Sequence, residues 1–231
     1  MCTNGQVISY QLTRTSRKNI NITIKNDGFI YVSAPRNVAL SEINKIVSSK
    51  TDWILKTQKN MKSKKIIKSN YSIRTNTLFY YYGKALKLKV LPSVSNSLII
   101  EENELIFYVK KEYIEDAQYK YTEFIKLLRK DLKKVTTKMV EKYLNKMELE
   151  LNTLEIRTMS ARWGTCIPAK KKILLNFHLV HCPPEAIEYV VLHEVSHLLH
   201  PNHSKRFYDT IALYMPNYKE RKAILQDYII Q

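Results

Sequence analysis

Residues 190–207, VVLHEVSHLLHPNHSKRF, contain four of the six histidines of this 231-residue chain. Just before them, Pro184 and Glu185 suit the first turn of a helix, where a proline needs no N–H partner and a carboxylate meets the positive end of the helix dipole. At about 100° per residue, His193 and His197 would share one face, one turn apart. The apolar residues fall on the opposite side: Ile187, Val191, Val195, Leu198 and Leu199. The pattern therefore predicts a helix whose histidine face points away from the core.

The glutamate between these histidines indicates a catalytic metal site. His193, Glu194 and His197 form the HExxH pattern, in which two histidines bind zinc and the glutamate acts on water. A catalytic zinc needs a third protein ligand and one open position. His200 would lie about 10 Å along the axis from His193, and the proline after it disfavours helical geometry there. The turn that follows can bring His203 back to the histidine face, with the spacing found in HExxHxxGxxH zincins.

Four further residues are candidates for contact with a substrate. The stretch KKKILLNFHLV at 170–180 alternates in a way that predicts a half-buried strand. Its edge could pair with an extended peptide and place Asn176 and His178 near it, or the edge could be covered within a sheet. Arg162 could bind a carboxylate, a phosphate or an oxyanion, or it could brace a loop. Tyr218 could donate a hydrogen bond to an oxyanion.

These residues resemble the YgjP-like metallopeptidases, a zincin-like family related to the SprT and Spartan-like metalloproteases. The resemblance covers nearly the whole chain in order and rests on APRNVALSEINKIVSSKTDWI, YYGKALKL, RTMSARWGTC, ILLNFHLV, PPEAIEYVVLHEVSHLLHPNHSKRF and MPNYKERKAIL. Thr165 stands where the family's Arg-Trp-Gly-Ser-Cys signature has serine. The resemblance implies that His193, His197 and His203 bind one zinc ion per chain and that Glu194 is the catalytic glutamate. It does not imply a substrate, because one fold can carry several activities.

The amino-terminal half has the pattern of strands. Residues 6–34 alternate apolar and polar positions, and the NDG turn at 26–28 favours a β-meander. A helix that includes Trp53 follows, and the basic tract at 59–70 is predicted to be a surface linker. Strand-like runs then resume as far as about residue 110.

We therefore predict an α+β fold with two parts. The first, 1–110, is a β-rich region with one helix. The second, 111–231, is a zincin-like metal-hydrolase domain, and the elements predicted within it are a long helix at 114–150, strands near 154–180, the HExxH helix at 184–200 and carboxyl-terminal helices.

Composition bears on partners and location. The formal charge of +17 could indicate a nucleic-acid or nucleotide partner, or it could reflect a lysine-rich composition. The first residues lack a secretory pattern, and no apolar run reaches the roughly 18 residues of a membrane span, so we expect a cytoplasmic protein without membrane contact. The three cysteines suggest reduced thiols. The sequence leaves the oligomeric state open.

The features together predict a zinc-dependent hydrolase, in the first place a metallopeptidase in which Glu194 activates a zinc-bound water. A peptide or protein substrate follows from this hypothesis. One alternative is a metal-dependent phosphohydrolase of nucleoside triphosphates at the same site, because a basic surface around a Lewis acid suits a phosphoanhydride. A second alternative is a DNA-associated zinc module, or a protease that acts on DNA-bound proteins.

Overall fold

The computed structural model describes residues 2–3, 6–25, 28–62, 65–67 and 72–230, and the fold is mixed α+β. The chain divides into two compact units, Met1–Lys65 and Ile66–Gln231. This boundary lies well before the predicted one near residue 110, because the strands between 78 and 110 share one buried core with the carboxyl-terminal helices. The predicted linker at 59–70 begins inside a helix, and its residues 63–64 and 68–70 lie outside the described part of the chain.

The first unit is a small sheet with two helices, whereas the sequence predicted one. The backbone leaves the helical conformation at Lys50, where φ is −106°, and this divides the predicted helix. Its elements are β1 Cys2–Thr3, β2 Gln6–Val7, β3 Gln11–Thr15, β4 Asn21–Ile24, β5 Ile30–Pro35, α1 Leu40–Ser49 and α2 Thr51–Lys62. The strand β5 lies in the middle of the β3-β5-β4 sheet, parallel to β3 and antiparallel to β4. Its inward residues Ile30, Val32 and Ala34 pack with apolar residues of the two helices.

This strand order corrects the predicted β-meander. A meander would pair β3 with β4 as neighbours in sequence, whereas here both pair with β5. The strand that buries its alternate residues takes the central place, where hydrogen bonds satisfy both of its edges. Asn26 and Asp27 of the predicted turn lie outside the described residues.

The second unit contains the long helix and the histidine-bearing segment. After β6 Lys65–Ile67, which spans the boundary, its strands are β7 Leu78–Tyr81, β8 Lys84–Ser93, β9 Ser97–Glu101, β10 Glu104–Lys110, β11 Thr153–Arg157, β12 Gly164–Ile167, β13 Lys172–Asn176 and β14 Tyr228–Ile230. Its α-helices are α3 Ala117–Met147, α4 Pro184–Ser196, α5 Lys205–Tyr214 and α6 Tyr218–Leu225, with 3-10 turns at Lys111–Tyr113, Pro168–Lys170 and Phe177–His181.

Two sheets of this unit enclose the core. One has the order β7-β8-β10-β9, in which β8 and β10 are parallel. The other has the order β11-β13-β12, with β13 parallel to β11 and antiparallel to β12. The helix α3 buries one residue at nearly every turn and packs against α4. None of the described helices combines the length and the hydropathy that a membrane crossing requires.

The turn between β7 and β8 holds the segment that leads into α4. Gly83 adopts φ +81°, and a Cβ placed on it would lie 2.8 Å from Cβ of Pro183. The backbone N–H of Tyr82 donates to Val180 O at 2.8 Å, and that of Gly83 donates to His181 O at 3.1 Å. Only glycine combines this left-handed backbone with so close an approach. The hairpin therefore fixes where α4 begins.

Candidate metal centre

The end of α4 presents the HExxH residues. His193 and Glu194 lie in its last turn, and His197 is the residue that caps it. The helix ends at Ser196, before the predicted 200, because the N–H groups of Leu198 and Leu199 donate to carbonyls only three residues back. This tighter turn leads the chain to His203, just before α5.

Three imidazoles converge at this place. One nitrogen from each of His193, His197 and His203 lies within 4.8 Å of the others. The Nε2 atoms of His193 and His203 are 3.0 Å apart. Nδ1 of His197 donates to the carbonyl of His200 at 3.0 Å, which leaves the lone pair of its Nε2 for a metal. The ring of Phe207 packs against all three imidazoles, with centroid distances of 4.6 to 4.9 Å.

This donor set fits a zinc ion. Burial, together with the charges of His197, His203 and Lys222, lowers the pKa of His193 to about 3. Burial also lowers the pKa of His197. Neutral imidazoles are the form that binds metals, and Nδ1 of His193 is buried without a hydrogen-bond partner among the described residues. Three such ligands would leave a tetrahedral ion one open position.

His200 does not join the cluster. Its Nε2 lies 2.9 Å from Oγ1 of Thr210 on α5, so the ring is directed away from the other histidines. Cys166 also has a separate environment. Burial and the nearby Glu194 carboxylate raise the pKa of the Cys166 thiol to about 12, so the thiol stays protonated and is a poor metal ligand.

Glu194 is a buried carboxylate beside these histidines, with 5% of its surface exposed. Burial raises its pKa to about 7, although the backbone N–H of Cys166 and the charge of Arg162 both lower it. The strand β12 passes directly over the carboxylate. A Cβ on Gly164 would lie 2.6 Å from Oε1 of Glu194, so a glycine is what lets the strand come this close.

In the sheet beside α4, one edge has no strand partner among the described residues. β13 has a partner on each side, so the alternative that its edge is covered is the correct one. The outer edge of β11 is also occupied: Arg129 Nη1 donates to Ile156 O at 3.2 Å, and Lys133 Nζ donates to Leu154 O. The remaining edge, that of β12, faces Glu194 through the N–H of Cys166.

The predicted substrate contacts of Asn176 and His178 are not favoured by their positions. The Asn176 amide is fully buried, donates to the carbonyls of Met159 and Arg162, and accepts from the N–H groups of Met159 and His178. It therefore braces the loop that carries Arg162. His178 is buried in the 3-10 turn, where its ring packs 5.7 Å from that of Phe177, and it does not line the cleft described below.

Arg162 and Tyr218 lie nearer the site. Arg162 is exposed in the segment before β12, and its charge acts on Glu194. Tyr218 begins α6, and its ring stacks on that of Tyr208 at 6.1 Å. It lines a shallow depression next to the histidines together with Tyr208 and Lys222.

A cleft of about 390 Å³ opens beside His193 and Glu194. Its lining residues are Trp163, Gly164, Tyr189, Val190, His193, Glu194, Lys222, Leu225 and Gln226. Of α6, only Tyr218 was singled out from the sequence, whereas the residues of this segment that line the cleft are Lys222, Leu225 and Gln226. Tyr218, Lys222 and Leu225 follow one another at steps of four and three residues, the spacing of a single helix face, and this spacing was a signal available in the sequence.

Comparisons with known proteins cover different shares of this chain. The crystal structure of the metallopeptidase zymogen of Pyrococcus abyssi abylysin has 17% identity and a TM-score of 0.38, covering 42% of this chain and 99% of that one. The zymogen of Methanocaldococcus jannaschii jannalysin has 22% identity and a TM-score of 0.35, covering 38% and 90%. No curated protein matches the sequence. The family model described as YgjP-like, metallopeptidase domain, matches residues 18–228, and the chain therefore belongs to the YgjP-like metallopeptidase family.

Proposed function

We propose that this chain hydrolyses peptide bonds at a single zinc ion held by His193, His197 and His203. The observation that carries the proposal is the convergence of three imidazole nitrogens within 4.8 Å beside the buried carboxylate of Glu194, at a cleft. A bound zinc ion would supply Lewis acidity, which lowers the pKa of water at the site toward about 7 and polarises a carbonyl oxygen. The family match supports a metal-dependent peptidase.

Glu194 moves the protons in this proposal. Its carboxylate takes a proton from the attacking water and then passes it to the leaving amine. Gly164 and the N–H of Cys166 hold the carboxylate between β12 and the histidines, where a reacting group would bind. A carboxylate fixed in this way needs little reorganisation during the reaction.

The outer edge of β12, which pairs with no strand among the described residues, suits an extended peptide. A peptide that adds to this edge would lie along the cleft with its backbone hydrogen-bonded to the strand. Arg162, which precedes β12 and is exposed, would then reach the carbonyl oxygen on which negative charge develops. Tyr218 is a second donor for that oxygen in this proposal.

A set of three variants tests the assignment of roles. We expect Glu194→Gln to keep one zinc per chain and to lose peptide hydrolysis by at least about 100-fold, the usual contribution of a general base. His197→Ala should lose both zinc and activity. His200→Ala is the matched control, because this ring bonds Thr210 outside the cluster, and it should keep both. An active Glu194→Gln enzyme would contradict the proposal.

The two alternatives, triphosphate hydrolysis and a DNA-associated module, gain no support from the family match. A zinc that only stabilises the fold is normally held by four protein ligands. Among the described residues, the convergent ligand atoms come from three histidines and no fourth side chain, which favours a reactive site over a structural one.

A further inference from the structure

One cation lines the cleft beside the metal centre. Lys222 is an exposed residue of α6, the helix that packs against α4, and it borders both the cleft and the neighbouring depression. The other walls of the cleft are largely aromatic or apolar: Trp163, Tyr189, Val190 and Leu225. Among the described lining residues, Lys222 alone carries a fixed positive charge.

The ammonium group of Lys222 has no carboxylate partner within the described part of the chain. Its Nζ lies 5.8 Å from the centroid of the Tyr208 ring, which is a weak contact for a cation. By contrast, Lys142 and Arg221 in the same unit both pair with Glu188. The charge of Lys222 also acts on His193, so the ammonium lies within electrostatic range of the metal centre. A cation without an ion-pair partner beside low-dielectric walls attracts an anion, and the exposure of Lys222 leaves its charge accessible.

We propose that Lys222 binds a carboxylate of the substrate, so that the enzyme selects peptides with an acidic side chain or a terminal carboxylate beside the bond that is cleaved. This inference rests on the proposed peptidase function and adds the substrate class to it. The aromatic and apolar walls contact the aliphatic part of that residue, and the ammonium binds its charged end. An acidic side chain and a carboxyl terminus would both pair with the Lys222 ammonium, and the peptides described next distinguish the two.

The first test compares matched peptides that differ at one position beside the scissile bond. Glu, Gln and Lys are placed there in turn, each in a peptide with a free carboxyl terminus and in one with an amide. The reference is the Gln peptide with an amide at its carboxyl terminus, which has no carboxylate. We expect the zinc-loaded enzyme to cleave either the Glu peptide or the peptide with the free terminus with about tenfold higher kcat/KM than this reference. One charge-assisted contact gives a ratio of this size.

Two Lys222 variants decide whether this residue causes the preference. Because a carboxylate can also bind zinc directly, the test is the change in the ratio and not the ratio alone. Lys222→Met should bring the acidic-to-neutral ratio close to one, and Lys222→Glu should shift the preference to the Lys peptide. Lys219→Met is the matched control, because this neighbouring lysine borders only the depression, and it should keep the ratio. An unchanged ratio in Lys222→Met would overturn the inference and leave the peptidase proposal standing.

A binding measurement separates this inference from the proposed function. Trp163 lines the cleft, so its fluorescence reports occupancy once the other tryptophan is removed by Trp53→Phe. The probes are acetyl-Ala-Glu-amide, acetyl-Ala-Gln-amide and acetyl-Ala-Gln with a free carboxylate, titrated into zinc-loaded Glu194→Gln. At least fivefold tighter binding of a carboxylate probe, lost in Lys222→Met, supports the inference even if the wild type cleaves no peptide. Equal binding of the three probes overturns it.

Discussion

At the scale of single residues, the tightest constraint in the site is the approach of Gly164 to Glu194. A methyl group on Gly164 would lie 2.6 Å from Oε1 and 2.7 Å from Cγ, so the carboxylate would have to move. We expect Gly164→Ala to lower kcat by about 10- to 100-fold, because displacements of about 1 Å have effects of this size. The zinc content should stay at one per chain. Thr165→Ala, one position along the strand, is the control, and a Gly164→Ala enzyme with full activity would contradict this reading.

His181 gives a second residue-scale prediction, away from the metal. Its Nδ1 donates to Tyr80 O at 2.6 Å, and burial lowers its pKa from 6.5 to about 4. Below pH 6.5 the unfolded chain takes up a proton that the folded chain refuses until about pH 4, so the free energy of unfolding falls as the pH falls through this window. Between about pH 7.5 and 5 this amounts to about 2 kcal/mol.

Urea unfolding of the wild type and His181→Gln at these two pH values checks this prediction. Between these two pH values the free energy of unfolding of the variant should fall by about 2 kcal/mol less than that of the wild type. Glutamine at position 181 binds no proton in the folded or the unfolded state. The same loss in both proteins would show that His181 is not the residue responsible.

At the scale of elements, α3 protects the edge of the β11-β13-β12 sheet. Lys133 donates to the Leu154 carbonyl of β11, and Arg129 donates to that of Ile156. We expect Lys133→Met to lower the free energy of unfolding by about 1 kcal/mol, the net value of one such hydrogen bond. Lys134→Met, which removes the next, exposed lysine, should change it by less than about 0.5 kcal/mol in urea titrations. Equal effects would contradict an edge-capping role.

The helices were predictable because their patterns are local. The apolar residues of α3 recur every three to four positions, and the helix was placed at 114–150 against the observed Ala117–Met147. The face of α4 that carries His193 and His197 follows from the same periodicity. The order of the strands could not be predicted from such local patterns. The central position in a sheet depends on pairing with strands elsewhere in the sequence, as β5 and β13 show. The positioning role of Asn176 is equally non-local, because it depends on the loop at 159–162.

At the scale of the whole molecule, each unit has its own buried core. Zinc that binds only the folded second unit should stabilise that unit by about 2.7 kcal/mol at 100 times its dissociation constant. We expect hydrogen exchange with mass spectrometry to show slower exchange in α4 and α5 when zinc is added, and unchanged exchange in β3–β5. His197→Ala should abolish the protection. Equal zinc protection of both units would contradict this expectation.

The unit boundary shows why sequence reasoning misplaced the division of the chain. The strand-like sequence continues to about residue 110, and the predicted boundary was placed where it ends. The buried side chains of β7, β8 and β10 nevertheless belong to the core of α3 and α4. Gly83 is the residue that fixes this packing, since its hairpin rests on Pro183 at the start of the helix that carries His193 and Glu194. A contact across 100 residues leaves no periodic signal in the sequence.

The most direct test of the central claim is a mass-spectrometric screen of zinc-loaded wild type and Glu194→Gln, each incubated with a peptide library and a mixture of nucleoside triphosphates. The account predicts that the wild type cleaves peptides, that Glu194→Gln does so at least about 100-fold more slowly, and that the triphosphates remain intact. Intact peptides together with a loss of triphosphate that depends on Glu194 would contradict it.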